Sequence, residues 1–429
     1  MEYRKKTSKK NPPKSASKRK RNLNKFSTVS KKATTKSDNI KMYRKGERAA
    51  SDQDIKLVMG KKEQRQFRRF ITLGIVCVLL IAVVLFSALT PTGPFEYLQN
   101  KFYAIGNGSF PASISGSELK NAYSVNSLLY SLSDTHAEIF NNSGKQLFSR
   151  QHEFNSPALS VSSQRALVYD IGGKNVYVFN HSDVISDIKS EYDIYCAAIG
   201  RNGTVAIASK SKGYASQVQV LSKNNKEKFV WYSSNEIVNN IAVSNNGRRV
   251  AVSTIDSSGG KFKSKLYVFK YSSADPIYEF TYEDAVVYSI NSVSNGYFCA
   301  VTNKSVDFIK WRNGQRKTNE SSLAIKLFRK FDNKKSIAVL GNKSNNSIVL
   351  YNAKGEKQAE FEFSGVVSDV SLGKKNIYIM SDGYLYSVDF EGNILFEKIN
   401  VSSYSRIFAL GNDSVVAAGN FGINKFTFK

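Results

Sequence analysis

An all-β domain of repeated four-stranded units, hung from one N-terminal transmembrane helix, is the fold that this sequence predicts. Three observations predict it. A stretch of about 20 apolar residues carries no charge; beyond it, short apolar runs are cut every 6–10 residues by polar turns; and those turns recur at a steady interval. The chain has 429 residues, with 62 Lys+Arg against 35 Asp+Glu.

Residues 1–69 hold 24 Lys+Arg and 6 Asp+Glu, so most of the +27 net charge sits in this first part. Such a segment has too few apolar side chains to offset its ordering entropy and reads as a disordered basic tail. Its last stretch, from Ile55 to Phe67, is more apolar and suits a short juxtamembrane helix. A tail of this kind attracts anionic phospholipid. Nucleic acid is the less favoured partner, because Tyr3, Phe26 and Tyr43 stand alone and give no stacking platform.

Residues 70–90 read as a membrane span. No charge falls between Arg69 and Glu96, and about 20 helical residues cover the roughly 30 Å of a hydrocarbon core. A cleaved signal peptide would have a far shorter basic region and a small-residue cleavage site. Lys61, Lys62, Arg65, Arg68 and Arg69 crowd the N-terminal flank, while the first basic residue beyond is Lys101. The positive-inside rule then places the tail in the cytoplasm and the C-terminal domain outside the plasma membrane. Residues 91–109 read as a linker.

From 110 to 429 the pattern is β throughout, as in Val176-Tyr177-Val178-Phe179 and Ile377-Tyr378-Ile379-Met380. Tight turns stand at Asn126, Ser163, Asn202, Asn246, Asn295, Asn333, Lys374 and Asn412, a mean spacing of about 41 residues, which is that of propeller blades. A second set follows most of them, near 142–145, 181–183, 223–226, 272–274, 312–314, 352–355 and 391–393. The first set reads as turns between strands A and B of a blade, the second as turns between C and D. The eighth unit lacks one strand, and the extended piece at 110–114 is available to supply it, which would remove two open sheet edges. An eight-bladed β-propeller closed by an N-terminal strand is expected, with seven blades as the rival count.

This layout resembles an uncharacterised family of Gram-positive single-pass membrane proteins bearing a domain-of-unknown-function label. The resemblance covers residues 60–429 and includes the phrase Val168-Tyr169-Asp170-Ile171-Gly172-Gly173-Lys174-Asn175-Val176-Tyr177-Val178-Phe179. It implies a propeller related to quinoprotein-like and WD40-like folds, and a location in the cell envelope. It implies no activity. The chain lacks the Trp-Asp dipeptide of WD40 repeats and has only Trp231 and Trp311.

Chemistry is sparse. Three cysteines exclude a disulfide scaffold, and no CxxC occurs. Cys196 and Cys299 fall in separate units and read as buried free thiols. No metalloprotease, nucleophile-elbow, P-loop or EF-hand motif is present, so no catalytic residue, cofactor or metal is assigned. Gly172-Gly173-Lys174 reads as a hairpin turn rather than a phosphate loop. Asp134 and His136 read as turn residues. Asn-x-Ser/Thr triplets, including Asn107, Asn141, Asn202 and Asn412, read as turn asparagines.

The leading functional expectation is a non-enzymatic binding or scaffold propeller of the cell envelope, with an envelope protein or polymer as partner. The alternatives are a propeller-type hydrolase or lyase with a central-channel site, and a transmembrane sensor signalling to a tail-bound partner. The A–B and C–D turns share one face and carry the candidate membrane- or polymer-facing residues Arg201, Arg248, Arg249, Lys334, Lys335, Lys374, Lys375, Lys223, Lys226 and Arg312. The D–A loops hold Glu191, Asp193, Glu236, Glu283, Asp284 and Glu320, although B–C loops contribute some lysines such as Lys210 and Lys263, which predicts an acidic opposite face.

Overall fold

The computed structural model describes residues 61–429, apart from 90–93, 258–259, 295, 332–333, 343, 412 and 429. The readings of residues 1–60, as a disordered tail and as a lipid- or nucleic-acid-binding one, lie outside the described residues. The first helix, α1, runs Lys61–Leu89. It therefore starts nine residues before the expected span and takes up 61–69 from the segment read as disordered; Lys61, Glu63, Gln64 and Arg65 are good helix formers. Its Arg65–Ser87 section has a mean hydropathy of 3.0, and among the described residues it is the one helix long and apolar enough to cross a membrane.

A second helix, α2 (Pro94–Ala104), occupies most of the expected linker. Pro94 opens it, where a missing N–H costs nothing. Glu96 in its first turn and Lys101 in its last complement the helix dipole.

Seven sheets of four strands and one of three follow, each in simple sequence order. The blades are residues 119–151, 157–189, 194–233, 237–283, 287–320, 325–364, 367–400 and 406–427. Asn295, Asn333 and Asn412 lie outside the described residues; among the described residues both expected sets of turns fall between strands A and B and between C and D, so the eight-bladed propeller is as predicted. Neighbouring A strands stand side by side around the axis. The B strands are sandwiched on both faces and are buried along their length, as in Leu128–Ser133 and Ile377–Ser381. Outer D strands face water, and Gln315–Glu320 (Gln-Arg-Lys-Thr-Asn-Glu) is almost wholly exposed. Among the described residues the core forms eight apolar clusters, each lying between two adjacent blades.

The ring closes through the N-terminal segment, but over one residue pair rather than a full strand. Ala112 and Ile423 exchange backbone hydrogen bonds of 2.9 and 2.8 Å. Side chains complete the closure: Ile114 is buried with Ile423 and Leu129, the Ser115 N–H donates to Glu138 (3.1 Å), and the Ser117 hydroxyl to Asp134 (2.6 Å). Gly422, at φ +144°, lets the two backbones meet, since a β-carbon there would run into the Ala112 carbonyl.

Candidate functional site

The A–B/C–D face receives α2. Glu96 pairs with the buried Arg165 of the first turn of blade 2 (3.2 Å) and accepts from Asn180 in the second (3.0 Å). The Asn141 carboxamide, at the C–D turn of blade 1, donates to the carbonyls of Ala104 and Gly106, each at 3.0 Å. Lys145 reaches the Ile105 carbonyl (3.2 Å), and Lys223 of blade 3 that of Ser87 (2.5 Å). An open polar cleft of about 350 Å³ lies between α2 and blade 2, lined by Glu96, Gln99, Tyr103, Asn180 and Asp183. Asn141 was legible only as a turn residue; its place under α2 needed the fold.

All ten basic turn residues lie on this face, but they are not equivalent. Arg248, Lys334, Lys374, Lys375, Lys226 and Arg312 are exposed. Arg249 stacks on the Trp311 ring (4.3 Å), and Lys335 lies over Phe390 (5.5 Å). Arg201 and Lys223 are half-buried, and burial lowers the Lys223 pKa. The charge available to solvent is therefore the first six.

On the opposite face the expected acidity is largely neutralised by lysines. Asp193 pairs with Lys210 (2.7 Å), Glu283 with Lys263 (2.7 Å), Asp284 with Lys304 (3.2 Å) and Glu236 with Lys265 (3.0 Å). These partners come from strand B (Lys210), strand C (Lys263 and Lys265) or a B–C loop (Lys304), so the pairs cross between segments that the sequence separates. What stands out on this face is apolar. Ile171, Tyr214, Ile237, Phe262 and Val366 are about half exposed, and Phe421 is 90% exposed. Tyr214 also stacks on Tyr232, with ring centres 4.8 Å apart.

Along the central channel, A-strand side chains cap the backbone edge of the next blade. Ser160 accepts from the Ile199 N–H (3.3 Å), Asn240 donates to the Val287 carbonyl (3.0 Å) and Ser371 accepts from the Ala409 N–H (2.9 Å). The strongest such link is ionic. Arg329 of blade 6 donates to Asp369 of blade 7 (2.8 Å), whose other oxygen accepts the Ile407 N–H of blade 8 (3.0 Å). Arg406 stands nearby, its pKa lowered first by burial and then by the like charge of Arg329. The chemistry these groups perform is joining blades.

Asp134 is held at a pKa of about 2 by the Ser117 hydroxyl and by the N–H groups of Ser117 and Glu118, so it serves the closing segment rather than a nucleophile. Cys299 is buried, and burial pushes the half-buried Cys196 thiol up to about 12. Among the described residues no cluster of three or more His, Cys, Asp or Glu could hold a metal. Gly172-Gly173-Lys174 forms the hairpin between Ala166–Asp170 and Asn175–Phe179 of blade 2.

His152 and His181 are both buried, and burial lowers each pKa below the usual 6.5, against the opposing pull of Asp134 and Asp170 on the first and of Glu96 on the second. Each imidazole stays neutral in the folded domain at a pH where the unfolded chain has already taken up a proton. Stability is thus complete above about pH 6.5 and falls on acidification below it. The melting temperature is expected to drop between about pH 7 and pH 5, and a His152→Gln/His181→Gln variant to lose part of that slope. A parent protein with no slope in this range would contradict the assignment.

A family profile matches residues 110–421, from the closing segment to the last hairpin. The chain belongs to DUF5711, a family of unknown function. The DUF5711 domain thus coincides with the propeller and excludes α1 and α2. No curated protein sequence matches the chain. Among solved structures, BamB from Moraxella catarrhalis is similar at 11% identity and a TM-score of 0.49, over 74% of this chain and 100% of that one. A eukaryotic initiation factor is similar at 12% identity and a TM-score of 0.49, over 74% of this chain and 85% of that one. At such identities the likeness concerns the fold of the DUF5711 domain alone.

Proposed function

We propose that this chain is a single-pass plasma-membrane protein of a Gram-positive cell, its tail cytoplasmic and its propeller outside, that binds an envelope protein without catalysing a reaction. The observation that carries this reading is the set of exposed apolar side chains on the B–C/D–A face: Ile171, Tyr214, Ile237, Phe262, Val366 and Phe421. Exposed aromatic and aliphatic groups of this size, on a face whose carboxylates are paired with lysines, are the kind of anchors that a protein contact uses. This face lies across the propeller from α2, so a tethered domain leaves it free. The basic turns of the other face, chiefly Arg248, Lys334, Lys374 and Lys375, then look toward anionic lipid or envelope polymer.

Photo-crosslinking in intact cells tests the reading. A benzophenone side chain in place of Phe421 should yield a discrete protein adduct outside the membrane, and one in place of Lys375 should not. Protein adducts from position 375 with none from 421 would reverse the assignment of the faces, and adducts to cytoplasmic proteins would overturn the topology.

A further inference from the structure

Helix α2 is amphipathic in the opposite sense to a helix on a soluble domain. Its polar side is turned to the propeller, with Glu96 on Arg165 and Asn180 and with Asn100 only 2% exposed. Its outward side carries an apolar stripe beside the exposed Gln99 and Lys101: Leu98 is 52% exposed and Phe102 71%, with Ile105 at 67% just beyond the last turn. Positions 98, 102 and 105 follow the i, i+4, i+7 spacing of one helical face. An ordinary surface helix buries such a stripe and shows water its charges.

Chain continuity says what covers this stripe. Helix α1 ends at Leu89 and α2 begins at Pro94, so extended chain allows at most about 18 Å between them. The polar layer of a bilayer is itself only several ångströms deep, which leaves α2 within reach of the interface. Lys101 lies over the Tyr97 ring (5.5 Å), an aromatic and a long cation of the kind that collects at headgroup level. A second exposed apolar pair, Ile394 and Leu395, stands on the same face at the C–D end of blade 7.

We propose that α2 is a bilayer-interface helix: Leu98, Phe102 and Ile105 enter the lipid, while Glu96 and the Ala104 carbonyl hold the propeller through Arg165, Asn180 and Asn141, so that the A–B/C–D face is laid against the membrane. The occupant of the stripe is lipid, not a protein. This rests on the reading of α1 as a membrane span.

The test uses the full chain in vesicles of pure zwitterionic and anionic lipid, with Cys77→Ser to remove the exposed thiol. Nitroxide labels are placed by Phe102→Cys, Leu98→Cys or Phe421→Cys, one at a time. The labels at 102 and 98 should collide with oxygen several-fold more, relative to a water-soluble nickel chelate, than the label at 421. Equal, water-like ratios at all three sites in protein that co-floats with the vesicles would overturn the proposal while leaving α1 as an anchor, and would point to a protein on the stripe. Failure of the chain to co-float would overturn both.

Discussion

A propeller fragment beginning at Leu119 is expected to melt on the order of 10 °C below one beginning at Pro94, or to aggregate. The shorter fragment loses the mutual backbone bonds between Ala112 and Ile423 and the buried side chain of Ile114. Two such bonds at about 1 kcal/mol each and a buried Ile at about 2–3 kcal/mol amount to roughly 5 kcal/mol, a large share of the 5–15 kcal/mol that holds a typical domain together. It also removes the one outer backbone partner of the last strand, Gly422–Thr427, which then pairs only with Ser414–Gly419. Calorimetry of the two fragments at equal concentration decides it. Equal melting temperatures would mean that the Ala112–Ile423 pair contributes nothing to closure.

The second large effect is expected at Asp369→Ala. The carboxylate is 1% exposed and joins three blades through Arg329 and the Ile407 N–H. Its removal leaves a buried N–H without a partner and sets Arg329 beside Arg406 with no anion between them. The cost is about 3 kcal/mol, at the low end for a broken buried pair because Arg329 keeps access to channel water. Asp369→Asn should cost less, since a carboxamide oxygen can still accept from Ile407. Arg329→Met should also cost less, because Asp369 retains Ile407 and gains Arg406 as its nearest cation. Denaturant midpoints for the three variants check the order. An Asp369→Ala protein as stable as the parent would mean that the clamp is dispensable.

The repeat was legible because two-sided burial forces the B strands into continuous apolar runs, as in Ala166–Asp170 and Ile377–Ser381, while each tight turn needs small polar residues. Closure was legible from a count of strands, but not its economy: a single residue pair, Ala112 with Ile423, carries the backbone bonds. Helix α2 escaped the sequence reading because 11 residues with their polar side turned inward look like a loop. The opposite face was misjudged for a related reason. Glu283 and Lys263 sit 20 residues apart in sequence but directly across a strand pair, so the sum of charges was visible while their cancellation was not. Arg329 and Asp369 belong to different blades, and nothing local marks them as partners.

The order of elements along the chain also decides how a pull is borne. Between α1 and the closing residue Ala112, the chain passes through α2, fixed by Glu96 to blade 2 and at its end by Asn141 to blade 1. If α1 anchors the chain as proposed, tension arriving from it loads that docked helix before it can reach the one-pair seam of the ring. The ion pair and the carboxamide act as strain relief, as a clamp on a cable spares the solder joint behind it. A propeller tethered as proposed can then be pulled upon without being unzipped.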